Sequence, residues 1–180
     1  MPLDQDIVIG GVLLASESDE GAHTKIRLSP EDMREIYEIL TALESEAAAR
    51  LAQRKLSKKD LQMLDKATSD MERALKKGNL DAWAEADARF HKKLLELHGN
   101  KRLSTFIQSL NAQAHRVRMI TLRLRKAPAQ STLEHRKILD CIEAGSAEDA
   151  RKTFGCTGRE RRKNSLRFSK ITACSAPTHR

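Results

Sequence analysis

With 180 residues, 39% hydrophobic and only 3% aromatic, the chain can bury one modest core and no more. Its 32% of charged residues, with Ala, Leu, Glu, Lys and Arg dominant, predict a soluble all-α protein. The net charge of +8 argues for a polyanionic partner only until it is located: residues 155–180 carry seven Lys or Arg against one Glu, +6 of the total, so the first 154 residues are nearly neutral. A basic tail of this kind binds phosphates without reading sequence. Apolar runs such as Ile7 to Ala15 are too short and too Gly-broken to span a bilayer, and no signal peptide opens the chain. Cys141, Cys156 and Cys174 are odd in number and lack metal-type pair spacing, which fits a reducing compartment. The expected location is cytoplasmic, with no membrane partner.

Residues 1–27 are weakly patterned: DIVIGGVLLA reads as a strand or the remnant of one, and SESDEGAHTK as a linker. Ser29-Pro30-Glu31-Asp32 then opens a first helix with a cap, a proline at the first position and acids in the first turn. Its apolar stripe is Met33, Ile36, Ile39/Leu40, Leu43, Ala47 and Leu51. Ser57 and Asp60 open the second helix, whose core side is Leu61, Leu64, Ala67, Met71 and Leu75, and Gly78 ends it.

The third helix spans Asn79 to His98, between an Asn cap and a Gly99-Asn100 stop. Trp83, Ala86, Phe90, Leu94 and Leu97 form its apolar face, with Asp87 and His91 on the flank. Four residues apart, Asp87 and His91 lie one above the other. The pair reads either as a hydrogen-bonded couple on a half-buried face or as two ligands to one divalent cation. His98, in the last turn, reads as an imidazolium suited to the helix C-terminus, and His115 as a residue on a solvated or interfacial face.

A long fourth helix, roughly 101–126, turns Leu103, Phe106/Ile107, Leu110, Ala114, Val117 and Leu122 inward, and Pro128 ends it. Ser131 and Glu134 cap a fifth helix with Ile138, Leu139 and Ile142 as its stripe, in which Cys141 reads as a small core residue. Ser146 and Asp149 open a sixth, which should run well past Phe154. The sequence from 155 onward, GCTGRERRKNSLRFSKITACSAPTHR, has no apolar period and breaks that expectation. A bundle without its closing helix leaves an apolar groove.

From about Leu28 to Phe154 the chain resembles the FCD ligand-binding domain of GntR-type bacterial transcription regulators, in the FadR-like branch. The resemblance is carried by EIYEILTALESEAAARLA (35–52), Asp87-x-x-x-His91 with Phe90 between, LLELHGNKRL (94–103) and EHRKILDCIEAGSAEDA (134–150). It implies an antiparallel bundle that dimerises, holds a divalent metal such as zinc or nickel, and binds a small carboxylate effector at or near the metal. Carried over by position, Asp87, His91 and His135 are the metal ligands. The effector-binding residues stay unassigned, and no catalytic residue is implied.

Three departures accompany the resemblance. The family's fourth metal ligand, a His, falls here at about Thr157. The first-helix Arg that meets the effector in many members is Leu40. No winged-helix domain precedes the similarity, so DNA would be contacted only through a domain absent from this sequence. The tail also reads sensibly in another frame: Cys (TGY) followed by Thr (ACN), shifted by two bases, gives YAC, which is His or Tyr. A frameshift near codon 155 would restore both the missing His and an amphipathic helix.

The expected organisation is a segment at 1–27, a helical ligand-binding domain at 28–154 and an anomalous basic tail at 155–180. The expected function is effector sensing for a transcription regulator, without catalysis. A metal-dependent helical enzyme, a nucleic-acid binder acting through the tail and a non-functional gene remnant are the alternatives.

Overall fold

A computed structural model of the protein describes residues 7–9, 12–14, 26–27, 29–123 and 127–156. Ahead of the helices, β1 (Ile7–Ile9) pairs antiparallel with β2 (Val12–Leu14) and parallel with β3 (Ile26–Arg27). The rest is an all-α antiparallel bundle of α1 (Pro30–Arg54), α2 (Lys58–Lys76), α3 (Leu80–His98), α4 (Lys101–Leu122), α5 (Ala129–Glu143) and α6 (147–156).

Local chemistry starts and stops most of these helices where expected. Ser29 accepts the Asp32 N–H and Asp32 accepts the Ser29 N–H, a complete capping box. Ser57 and Asn79 each accept a backbone N–H from the first turn that follows. Gly99 closes α3 at φ 80, a left-handed conformation that a side chain would strain.

The apolar stripes meet in one core, in which Met33, Leu51, Leu64, Trp83, Phe90 and Phe154 are fully buried. Each such side chain contributes about 1.5–3 kcal/mol of burial free energy. Ala47, Ala48 and Ala52 on α1 are also buried, and their small size lets α1 pack on α3, α4 and α5 together.

Four details depart from the sequence reading. The fifth helix begins at Ala129, two residues ahead of Ser131, with Pro128 in the cap position and no side-chain cap. The fixed proline torsion starts the turn, so Ser131 and Glu134 fall inside the helix, where Glu134 accepts from Gln130 instead of closing a capping box. In the Phe106/Ile107 pair, Ile107 is buried but Phe106 is 53% exposed.

His98 does not serve as a helix-end cation. Burial first, then the charges of Arg50 and Arg54, push its imidazole below the ordinary value. Arg54 takes that role, donating to the Leu97 and His98 carbonyls. The fourth helix reaches Leu122 rather than 126, and the side chain of Val117 lies outside the described residues. So do Thr157 and the rest of the tail, on which the expected loss of the closing helix rests. Cys141 packs partly buried against the core, and burial pushes its thiol up.

One ion pair ties α6 to α1. Arg151 donates to Glu46, which also accepts from Arg50. Arg151 first, then Arg50, hold the Glu46 carboxyl below its ordinary value. A depressed folded-state value means the contribution is complete above the ordinary glutamate range and fades as pH falls through the folded value. Glu46→Gln should therefore lower the melting temperature slightly at neutral pH and not at all in acid. Melting curves across that range test this; an equal loss at every pH would refute it.

Candidate metal centre

Helix α3 places Asp87 and His91 one turn apart, both facing the core. Helix α5 brings His135 against them, and all three are buried, with His135 wholly inaccessible. The His91 and His135 Nε2 atoms are 3.3 Å apart. Asp87 Oδ1 is 3.4 Å from His135 Nε2 and 3.7 Å from His91 Nε2. The structure thus brings Asp87, His91 and His135, which sit on two separate helices, to one point.

The outer ring nitrogens show which atoms face inward. His135 Nδ1 lies 2.6 Å from the Ser131 carbonyl, an acceptor, so that nitrogen carries the hydrogen. His91 Nδ1 lies within ion-pair distance of Glu44 Oε1, at 3.0 Å. In a neutral His135 the Nδ1 hydrogen leaves Nε2 as the acceptor that faces His91 Nε2 and Asp87 Oδ1. A carboxylate oxygen and two ring nitrogens this close and this far from water need a cation or a shared proton among them.

Their spacing is of the size that donors sharing one divalent ion take, zinc for example. Zinc–nitrogen bonds of about 2.0–2.1 Å set tetrahedral neighbours roughly 3.3 Å apart. The observed edges of 3.3, 3.4 and 3.7 Å match that figure. This buried Asp/His/His triad could coordinate a divalent metal and leave a fourth position for another donor.

Aromatic rings wall the cluster. Phe90 stands edge-on to His135 with centroids 4.7 Å apart, and Phe154 of α6 edge-on to His91 at 5.8 Å. One turn ahead of Asp87, the buried Trp83 indole donates at 2.8 Å to Oγ1 of Thr132, which lies three residues ahead of His135. Thr132 in turn donates to the Pro128 carbonyl. This chain of bonds sets the register of α3 against α5 beside the cluster. On the outer side of α5, Arg136 donates to Glu72, Asp65 and Ser69 of α2. The Glu72 bond first, and then Asp65, raise its guanidinium further above the ordinary value against the opposing cost of burial.

Sequence reasoning missed Glu44, which is wholly buried beside His91 and accepts from Asn111 of α4 at 3.3 Å. The signal was present, because Leu40, Glu44, Ala47 and Leu51 form one helical stripe with a carboxylate in the middle. His115 is half-buried on α4.

No helix among the described residues is long and apolar enough to cross a membrane. Residues 35–155 match the family model for the FCD domain. Over 70 residues the chain is 44% identical to an uncharacterized HTH-type transcriptional regulator in the TAR-I ttuE-ttuC' intergenic region of Agrobacterium vitis. That match covers 38% of this chain and 41% of the relative, so the chain spans well under two thirds of its length. Among solved structures, Streptococcus agalactiae GntR superposes with a TM-score of 0.62 at 21% identity, covering 73% of this chain and 58% of that one. E. coli McbR/YncC gives 0.62 at 19% identity, covering 79% and 69%. At such identities the likeness shows the fold. The family match shows more: the chain belongs to the FCD domain family, as a helical, non-catalytic regulatory domain of the kind found in GntR-type regulators.

Proposed function

We propose that the protein is the effector-sensing part of a FadR-like transcription regulator, in which Asp87, His91 and His135 hold zinc or nickel. The carrying observation is the buried trio of acceptor atoms with edges of 3.3–3.7 Å. A small organic acid is the natural occupant of the remaining metal position, since a carboxylate oxygen is a good ligand and adds charge only where the ion offsets it. In a full-length regulator, binding there shifts the placement of paired winged-helix domains on DNA, a coupling between separate sites. The protein works in the cytoplasm as a homodimer, and the exposed Ile39 of α1 and Phe106 of α4 supply apolar contact for that assembly.

A fourth His would tighten the site. A frame shifted by two bases reads His or Tyr where Thr157 stands, and with His there a frameshift near codon 155 would account for both the missing ligand and the unpatterned tail.

Titration of metal-free protein with Zn²⁺, followed by a panel of mono-, di- and tricarboxylates, tests the reading. Saturable one-to-one zinc binding is expected, with a carboxylate that binds zinc-loaded protein and ignores the metal-free form. Light scattering on the same samples should give about twice 20.2 kDa. Equal carboxylate binding with and without zinc would remove the metal from the sensing role.

A further inference from the structure

Arg136 stands next to His135 on α5 and reaches away from the cluster toward α2. Consecutive residues on a helix point about 100° apart, so the two side chains leave α5 on different sides. All three guanidinium nitrogens are engaged. Nε donates to Glu72 Oε1 at 2.9 Å, Nη2 to Ser69 Oγ at 3.2 Å, and Nη1 to Asp65 Oδ1. Asp65, Ser69 and Glu72 follow one another at spacings of four and three residues, which makes them one stripe of α2. A half-exposed ion pair adds little stability by itself, but a planar fork held at each nitrogen restrains orientation.

The packing of the bundle makes that orientation matter. Helices α3 and α5 carry the cluster, yet their backbones barely approach one another, while α1 and α2 lie against both. Helix α2 is tied to α3 as well. Arg89, which lies between Asp87 and His91 in the chain, donates at 3.0 Å to Asp70, a carboxylate that Arg73 and Lys66 of α2 also reach.

We infer that Arg136 is a positioning residue for the metal centre: by gripping α2, it fixes the rotation of α5 that holds His135 against Asp87 and His91. The inference rests on the metal reading proposed above. A side-chain tip about 5–6 Å from a helix axis moves roughly 2 Å when the helix turns by about 20°. Ligand distances in a working site hold to about 0.2 Å. A turn of a few degrees, within what side-chain packing absorbs, therefore already misplaces His135. Arg136 resists that turn, because rotation stretches its bonds to Glu72 and Asp65. The Trp83–Thr132 bond holds α5 from α3, and Arg136 adds a second fixed point from α2.

Charge gives a sign that separates this role from plain electrostatics. A guanidinium near the site repels a dication, so as a charge alone Arg136 weakens metal binding. As a positioning group it strengthens it.

The test compares wild type, Arg136→Lys, Arg136→Met, Glu72→Gln, the Arg136→Met/Glu72→Gln pair and His91→Ala in the full chain. Zn²⁺ affinity is read by competition with a chromophoric chelator, site geometry by the visible spectrum of Co²⁺-loaded protein, and stability by melting of metal-free protein. Arg136→Met should weaken zinc binding roughly 10-fold, the lower end of what outer-shell partners give, and should shift the Co²⁺ bands. Arg136→Lys keeps the charge but not the fork, so its affinity should fall between that variant and wild type. Glu72→Gln should weaken binding too, and the pair should lose no more than Arg136→Met alone, since both act through one contact.

Zinc affinity that is unchanged or raised in Arg136→Met, with His91→Ala still deficient, overturns the inference and leaves the metal site standing. Lower metal-free melting with unaltered affinity and Co²⁺ spectrum marks Arg136 as structural only, which overturns it equally. Full additivity of Arg136→Met and Glu72→Gln would also overturn it, because the two would then act apart. Zinc binding that is the same in wild type and His91→Ala instead brings down the metal reading itself.

Discussion

In His91→Ala protein, bound zinc is expected to fall to background, and the thermal stabilisation that zinc gives the wild type should vanish with it. His91 supplies one of three inward-facing atoms, and its Nε2 is 3.3 Å from that of His135. Removing it leaves a carboxylate and one imidazole, too few to hold an ion against water. The stabilising effect in wild type follows mass action: zinc at 100 times its dissociation constant adds about 2.7 kcal/mol. Asp87→Asn should behave alike, because the amide keeps the volume but not the charge that offsets the dication. Elemental analysis and melting with and without zinc read both effects. Zinc content that survives either substitution would place the ion elsewhere.

The sequence made the Asp87–His91 pair visible because one helix holds both, and helical spacing alone puts residues i and i+4 together. His135 was another matter. Its approach to His91, 44 residues away in the chain, depends on how two helices pack, which no local pattern encodes. Only the family resemblance pointed to it. Glu44 lay in view as the one carboxylate within an apolar stripe, but a glutamate in a run such as ESEAAAR reads most simply as a solvated helix position.

Helix starts were legible where a side chain makes the cap, at Ser29, Ser57 and Asn79. The start of α5 was not, because Pro128 begins it without a side-chain bond, and the Ser131–Glu134 pair imitated a cap two residues downstream. His98 was misassigned for a related reason. Which cation serves the end of α3 is decided by Arg54, a residue brought there from α1 by tertiary packing.

Trp83→Ala should destabilise the bundle by about 3–5 kcal/mol, a large share of the roughly 5–15 kcal/mol that holds a domain together. Trp83 is fully buried, and its removal opens a cavity between α3 and α5 directly beside the Asp87, His91 and His135 cluster. The informative companion is Trp83→Phe. It keeps most of the apolar volume but withdraws the hydrogen bond to Thr132 Oγ1, at a cost of about 1 kcal/mol. That bond fixes the register of the helix bearing Asp87 and His91 against the one bearing His135. Its loss should weaken zinc binding by more than the small change in melting would suggest. Chemical denaturation of metal-free protein measures the first effect, and chelator competition the second. If Trp83→Phe shifts stability as expected while zinc affinity stays at the wild-type value, the Trp83–Thr132 bond supports the core alone. The register of the three ligands would then be set by the Phe90 and Phe154 rings packed around them.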